Sequence, residues 1–410
     1  MPADALRGVP AVHHRPALQQ PGWADREALS RVCDQLATAM EPVDMWSCRA
    51  LREELARAAA GDGFTVIGGD CAELFRETIT ARVIAKAEHL HRVADVVETA
   101  TGLPTTRVGR FGGQFAKPRS KPYEELSDGR RVPSYRGDVV NGLDISERAH
   151  DPSRLLTAYR CSRHAIHALA AWDLERRKAA GRGGLQSAPR TYVGHEALVL
   201  DYERALQRHG GRHASSGHFL WVGERTRHPD HAHIALASSI DNPVGVKLGP
   251  SVEPAEVGVL LATLDPAPVS RAGRMSFIVR MGAAASATVL PRVIEALGRR
   301  AHDVLWIVDP MHANQRTNAH GQKTRLLTDM EEEIRVVFAV LARHRLPAAG
   351  IHLEMTPDDV TECVEDSSDL SRPLSDYRSA CDPRLNPGQA ARIVELVAQL
   401  LRRPVLRSTL

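Results

Sequence analysis

Apolar positions along this chain follow two alternating patterns. Eight short runs rich in Val, Ile, Phe and Leu have the length and character of buried strands: Phe64–Gly69, Thr105–Arg110, Thr191–His195, Phe219–Gly223, Pro243–Leu248, Met275–Met281, Val304–Asp309 and Gly350–Glu354. The stretches between them carry helix signals. Ile334, Val337, Phe338 and Leu341 recur at helical spacing behind the acidic start Glu331–Glu333, and Thr356 followed by Pro357 reads as an N-cap and first helical residue. A long helix fits Glu77 to Thr101, where Gly102 stops it.

Strands alternating with helices in this way predict an α/β protein, a (β/α)8 barrel; a doubly wound open sheet gives similar local patterns and is the second choice. Residues 64–410 then form the barrel. Residues 1–63 form an N-terminal extension, irregular at first and helical near Asp25–Met40 and Cys48–Ala60. The connection between the second and third strands, about residues 111–190, is too long for a plain loop and predicts helices of its own around Ser153–Ala180. The one short biased stretch is Gly181–Gly184.

With 410 residues, 43% hydrophobic and 25% charged, the chain has material for a large core, and wholesale disorder is excluded. Fifty-three basic against 50 acidic residues give a formal charge of +3, and aromatics are 4%, so neither the charge footprint nor the stacking platforms of a nucleic-acid binder are present. No apolar run approaches the length of a membrane span, and Met1 to Trp23 is broken by Pro2, Pro10, Pro16 and Pro21. We therefore expect a cytoplasmic protein without nucleic-acid or membrane partners. Six cysteines without CxxC spacing predict reduced thiols, several of them buried. Only six of the 53 basic residues are lysine, and a chain that favours arginine so strongly keeps lysine where a compact ammonium is needed.

In a barrel the chemistry gathers where strands end. Those ends offer Asp70 and Cys71; Arg110, then Lys117, Arg119 and Ser120; His195 and Glu196; Glu224 and Arg225; Lys247; Arg280; Asp309 and His312; and Glu354. Each alone would as readily be solvated or paired in a salt bridge; their gathering at nearly every end points to a site. Arg110, Arg119, Arg225, Lys247 and Arg280, with Lys117 and Lys323, suit a substrate bearing phosphate, and backbone N–H groups in the Gly112-Gly113 and Gly249-Pro250 loops are candidates for further donors. Alternation along Val244 to Gly249 puts Gly245 on the face of Lys247 and predicts free space beside the ammonium. Cys71, His312, Glu354 and Asp382 make a mixed soft and hard donor set that suits Mn, Fe, Co or Zn rather than Ca or Mg, if the first and eighth strands are neighbours. A hydrogen-bonded core role competes for any lone histidine. His231-Ala-His233 has HxH spacing but falls where a helix is expected.

These residues carry a resemblance. Gly68-Gly-Asp-Cys-Ala-Glu73, Gly113-Gln-Phe-Ala-Lys-Pro-Arg-Ser120, Tyr135 to Gly142, Gly194-His-Glu-Ala-Leu198, Ser216 to Arg227, Asn242 to Pro250, Arg280-Met-Gly282, Asp309-Pro-Met-His312, Gly350-Ile-His-Leu-Glu354 and Ala380-Cys-Asp-Pro-Arg-Leu-Asn386 resemble the class II, plant-like 3-deoxy-D-arabino-heptulosonate 7-phosphate (DAHP) synthases, from about residue 20 to the C-terminus. The resemblance implies a TIM barrel that condenses phosphoenolpyruvate with erythrose 4-phosphate and water, the first step of the shikimate route to aromatic amino acids. It implies a divalent metal, manganese or cobalt before zinc or iron, at Cys71, His312, Glu354 and Asp382. It places phosphoenolpyruvate on Arg110, Glu224, Arg225, Lys247 and Arg280, and the aldose phosphate on Lys117, Pro118, Arg119 and Ser120. Glu224, Arg225 and Lys247 form the implied catalytic group, with Glu224 or Lys247 as proton relay. Ala283-Ala-Ala-Ser286 departs from the family, whose members often carry longer polar side chains there, and the N-terminal segment is short.

A specialised-pathway DAHP or aminoDAHP synthase, feeding phenazine, aminobenzoate or antibiotic synthesis, is the alternative. A catalytically silent partner of chorismate mutase ranks below it, because Cys71, Lys247, His312 and Glu354 are all present. A homo-oligomer of at least two chains is expected, with chorismate mutase a candidate contact. Since Cys381 adjoins Asp382, a metal site that includes Asp382 and Cys71 would also bring the thiols of Cys71 and Cys381 together, close enough for a disulfide in the metal-free protein.

Overall fold

The structure, a computed structural model, describes residues 15–126, 128–179, 189–266 and 271–402. The expected starts at residues 1–14 and the Gly181–Gly184 stretch lie outside those residues. Eight parallel strands close into a barrel: β1 (Phe64–Gly69), β2 (Thr105–Arg110), β3 (Thr191–Glu196), β4 (Phe219–Val222), β5 (Val244–Leu248), β6 (Met275–Val279), β7 (Leu305–Val308) and β8 (Gly350–Glu354). Each strand neighbours its sequence neighbours, and β8 pairs with β1. The open-sheet alternative is excluded by that last pairing.

Alternation along the strands sorts two cores. Ile67, Val108, Tyr192, Phe219, Trp221, Ile278, Leu305 and Ile307 pack together inside the barrel. Val66, Val193, Leu220, Val246, Phe277 and Ile351 face out and meet the surrounding helices. Within the extension, α1 (Arg26–Thr38) starts where the Asp25 side chain accepts the Ala28 N–H, and α2 (Met45–Ala59) where Asp44 accepts that of Ser47. Helix α2 buries Leu51, Leu55 and Ala58 against the inward-facing cluster, so it plugs the barrel. The next helix, α3 (Thr80–Thr101), ends at Gly102 in the left-handed conformation, as the glycine predicts. The long connection after β2 holds α4 (Arg154–Ala179) and a two-stranded ribbon, Tyr123–Glu125 with Arg131–Pro133, that the sequence did not signal. Shorter helices α5 (Leu200–Ala205), α6 (Ala232–Ser239), α7 (Pro254–Leu264) and α8 (Ala283–Leu297) follow, then α9 (Leu327–Arg343) and α10 (Pro387–Arg402). Among the described residues no helix is long and apolar enough to cross a membrane.

Three sequence readings are corrected. Thr356 and Pro357 do not open a helix: the Thr356 N–H is given to the Leu385 carbonyl at 3.0 Å, and Asp358 is drawn into an ion pair with Arg82 at 2.7 Å. The chain crosses the mouth of the barrel before α10 begins. Helix α9 starts at Leu327, ahead of the acidic triplet, and leaves Glu333 buried. Gly245 leaves no space beside Lys247, because a Cβ there would stand 2.9 Å from Ile278 and 3.0 Å from Phe219, which already fill it.

Candidate active site

The strand ends open on one mouth, and the register aligns Gly69 of β1 with Arg110 of β2 on one side and Glu354 of β8 on the other. The two long side chains meet across a residue that has none, Arg110 Nη2 lying 3.1 Å from Glu354 Oε1. Gly69 has a φ of 145°, and a Cβ there would stand 3.0 Å from the Arg110 carbonyl oxygen.

Just beyond β1, Cys71 Sγ and one carboxylate oxygen each from Glu354 and Asp382 lie within 4.8 Å of one another. His312 Nε2 lies 3.0 Å from Glu354 Oε1. Three of the four candidate ligands thus converge, although Cys71 and Asp382 are 311 residues apart, and His312 adjoins the group through Glu354. The Lys117 ammonium touches both Cys71 Sγ and Asp382, and Lys323 Nζ is 2.9 Å from the other Asp382 oxygen. Burial pushes the Cys71 thiol well above its usual range, and the Cys381 thiol and Glu354 push it the same way. A thiol beside carboxylates and an imidazole is a donor set that fits a divalent transition-metal ion, whose charge would favour the thiolate as the Lys117 ammonium already does. Burial also disfavours charge on Glu354, yet His312, Arg325 and Lys117 outweigh it and hold that carboxyl well below the usual range. Cys71 and Cys381 are both free thiols in hydrogen-bond contact, as their shared neighbourhood predicts.

Supporting groups fix this cluster from outside. Arg325, fully buried, pairs with Glu354 Oε2 at 2.8 Å and donates to the Pro383 carbonyl, joining β8 to the segment that carries Asp382. Arg384 Nη1 reaches Asp70 at 2.8 Å, and Asp70 also holds the buried Lys86. His312 Nδ1 lies 2.8 Å from Asp309 Oδ2, which also takes Lys247 Nζ at 3.0 Å. With its proton on Nδ1 toward Asp309, His312 presents the Nε2 lone pair to the cluster, the usual arrangement of a metal-binding imidazole. Burial opposes charge on Asp309, but His312 and Lys247 hold its carboxyl well below the usual range.

Beside the cluster lies a cavity of about 210 Å³, with Arg110, Arg225, Lys247 and Arg280 facing Cys71, His312 and Glu354. The indole of Trp221 underlies it, 5.2 Å from the Arg110 guanidinium and 5.9 Å from Lys247 Nζ, so its π face meets two cations. A wider basin of about 1010 Å³ lies next to it, lined by Lys117, Pro118, Arg119, Ser120, Arg225 and Lys323. There Arg225 Nη2 is 3.1 Å from Ser120 Oγ, and Arg119 pairs with Glu124 at 2.7 Å.

Several expectations change. The glycine loops add no free donors, because Gly249 N–H goes to Glu224 at 2.6 Å and Gly113 N–H to Glu73 at 3.0 Å. Glu224 is occupied on both oxygens, the second by Arg227 at 3.3 Å. Lys117 lines both basin and inner cavity and contacts two candidate ligands. His195 turns away to Glu203 at 2.8 Å, and His233 Nε2, on α6, donates to the Leu198 carbonyl at 3.1 Å. Sequence reasoning placed Glu196 and Asp309 at strand ends without giving them a role, and left Trp221 and Arg325 out of the site. Alternation in Phe219-Leu-Trp-Val-Gly223 would have put Trp221 inward, and Gly223 is small because a Cβ would stand 2.1 Å from Glu196 Oε1. Burial raises the carboxyl of Glu196.

A closed (β/α)8 barrel with a cationic cavity beside a thiol, an imidazole and carboxylates at its mouth has the layout of a barrel enzyme. The chain belongs to the class-II DAHP synthetase family, whose sequence model matches residues 9–180 and 174–398. It is 38% identical over 435 residues to a phospho-2-dehydro-3-deoxyheptonate aldolase of Streptomyces coelicolor, covering 94% of this chain and 96% of that one. A probable enzyme of the same name from Pseudomonas fluorescens is 39% identical, with 91% and 92% covered, and AroG of Mycolicibacterium smegmatis is 35% identical, with 95% and 93% covered. A solved structure of that aldolase from Francisella tularensis shares the fold, with a TM-score of 0.54 at 15% identity over 95% of this chain and 99% of that one. That name and 3-deoxy-7-phosphoheptulonate synthase denote one activity, a carbon–carbon bond-forming transfer of aromatic amino acid biosynthesis, and this chain is such an enzyme.

Proposed function

We propose that this enzyme condenses phosphoenolpyruvate with D-erythrose 4-phosphate and water to give DAHP and inorganic phosphate, using a divalent metal ion, Mn or Co, at Cys71, His312, Glu354 and Asp382. The observation that carries this reading is the convergence of Cys71, Glu354 and Asp382, with His312 against Glu354, beside a cavity walled by Arg110, Arg225, Lys247 and Arg280.

The inner cavity suits the smaller, doubly anionic phosphoenolpyruvate. Its phosphate and carboxylate would lie against the guanidiniums and Lys247, over the Trp221 ring. Arg119 and Ser120 in the outer basin would take the sugar phosphate, and Arg225 borders both. A divalent ion at the donor cluster supplies the Lewis acidity that makes an aldehyde carbon electrophilic. Asp309 holds His312 in the tautomer that leaves Nε2 free, while Arg325 keeps Glu354 in place. As water adds at carbon 2 and phosphate departs, Arg225 and Arg280 are positioned to hold the negative charge. Lys247 is the better-placed proton relay: burial draws its ammonium below the usual lysine value, whereas both oxygens of Glu224 are engaged.

The experiment is phosphate release from metal-stripped protein with one or both substrates, with and without Mn or Co. Release requiring both substrates and the ion is expected. Full turnover in exhaustively stripped protein, or equal release from phosphoenolpyruvate alone, would overturn the reading.

A further inference from the structure

Glu333 lies on α9, away from the cavity, and is fully buried. Its Oε1 accepts the backbone N–H groups of Met281 at 2.8 Å and Gly282 at 2.7 Å, and its Oε2 accepts Asn314 Nδ2 at 2.7 Å. Met281 and Gly282 directly follow Arg280. Asn314 stands two residues after His312. On the cavity side the same two segments meet again, where Arg280 Nη2 donates to the His312 carbonyl at 2.8 Å. One carboxylate therefore fastens the segment after β6 to the segment after β7 from behind, and a guanidinium fastens them from the front.

We infer that Glu333 is a positioning residue for the condensation: its carboxylate holds Arg280 and His312 in one fixed relation and so couples the grip on the phosphoenolpyruvate phosphate to the metal site. The inference rests on the function proposed above. A carboxylate is the right group for this task because it alone offers two acceptor oxygens to three donors. Arg280 N–H donates to the Leu248 carbonyl of β5 at 2.9 Å, and the alanines that open α8 carry no polar side chain, so on the β7 side placement of Arg280 falls to this anchor and the His312 carbonyl.

No lysine, arginine or histidine forms an ion pair with Glu333 among the described residues. The charged side chain facing it is Asp309 at the end of β7. Helix α8 buries Ser286 and apolar residues, and α10 buries apolar residues alone. On α9 itself, Asp329 pairs with Arg316 and Glu331 with Arg392 at the surface. Burial accordingly pushes the Glu333 carboxyl up to about 7, Asp309 pushes the same way, and the three donors oppose both. A raised carboxyl is ionised above that pH and gains a proton below it. A proton on either oxygen replaces an acceptor with a donor and frees one of the two segments.

The test is Glu333→Gln, which keeps the size but sets an amide N–H against Asn314. The KM for phosphoenolpyruvate should rise about tenfold, the loss of roughly one charge-assisted hydrogen bond, with the KM for erythrose 4-phosphate little changed. Calorimetric titration of Mn into the stripped variant should show severalfold weaker binding. The fall of kcat/KM for phosphoenolpyruvate below about pH 7, expected in the unaltered enzyme, should disappear. Unchanged KM with the acid limb retained would overturn the clamp, and so would an equal rise for both substrates alongside a lowered melting temperature. Should the variant fail to fold, Asn314→Ala, which removes the β7 arm along with the Asn314 bond to the Pro310 carbonyl, must weaken Mn binding and phosphoenolpyruvate binding together; wild-type values for both would refute the inference. Absence of condensation in the unaltered enzyme would instead refute the function on which it rests.

Discussion

Lys247 sits between opposing demands: burial favours its neutral form, and Asp309 at 3.0 Å favours its charge. Trp221 below and His312 at 3.4 Å leave room for a compact head but not a planar one. We therefore expect Lys247→Arg, despite keeping the charge, to lower kcat by about a hundredfold, since a guanidinium neither fits the position nor gives up a proton. Near wild-type steady-state rates would remove Lys247 from the chemistry. Arg119 is different, a residue of the outer basin steadied by Glu124. Arg119→Ala should raise the KM for erythrose 4-phosphate about tenfold and leave that for phosphoenolpyruvate alone, a loss typical of one charged hydrogen bond. Equal changes in both constants would show that basin and cavity are not separate subsites. Of the six lysines, five, Lys86, Lys117, Lys121, Lys247 and Lys323, lie in or directly beneath the site, whereas Lys178 pairs with Glu175 on the surface.

Elements of this fold were legible in proportion to how local their cause is. Parallel strands covered on both faces read as continuous apolar runs, and all eight stand within a residue or two of where the runs placed them. The candidate ligands stood out because each occupies a strand end or belongs to a segment that carries the family resemblance. Illegible were the features made by closure. The pairing of β1 with β8 sets Gly69 between Arg110 and Glu354, a relation between residues hundreds of positions apart. Thr356-Pro357 carries a good helix-start signal, and long-range bonds to Leu385 and Arg82 override it. Helix α2 could be read as amphipathic, but nothing in Leu51, Leu55 and Ala58 says that their partner is the barrel interior. Leu55→Ala should cost about 2–5 kcal/mol in denaturant unfolding, the range for a buried leucine, without changing either KM, because the plug packs against the barrel core and lines neither cavity. A changed KM with unaltered stability would mean that the plug communicates with the mouth.

At the scale of the whole molecule, the candidate metal site lies on the seam where the barrel closes. Cys71 follows the first strand, Glu354 ends the last, and Asp382 belongs to the segment that crosses the mouth between β8 and α10. An ion held by all of them ties the two ends of the barrel, so its binding energy adds to the stability of the fold: about 2.7 kcal/mol when the free ion is at a hundred times its dissociation constant. Removing it leaves Glu354 and Asp382 close together in a buried site, with Arg110, Lys117, Lys323, Arg325 and His312 to offset them. We expect chelation to lower the melting temperature by several degrees and to raise amide hydrogen exchange first in residues 355–386 and 70–73, with strands β4 to β6 little affected. Because Cys71 and Cys381 are then adjacent and unshielded, mild oxidant should join them in the stripped protein, and Mn should protect them, as peptide mapping would reveal. Identical melting and exchange with and without the ion would place the metal elsewhere than on the seam, and the proposed ligand set would fall with it.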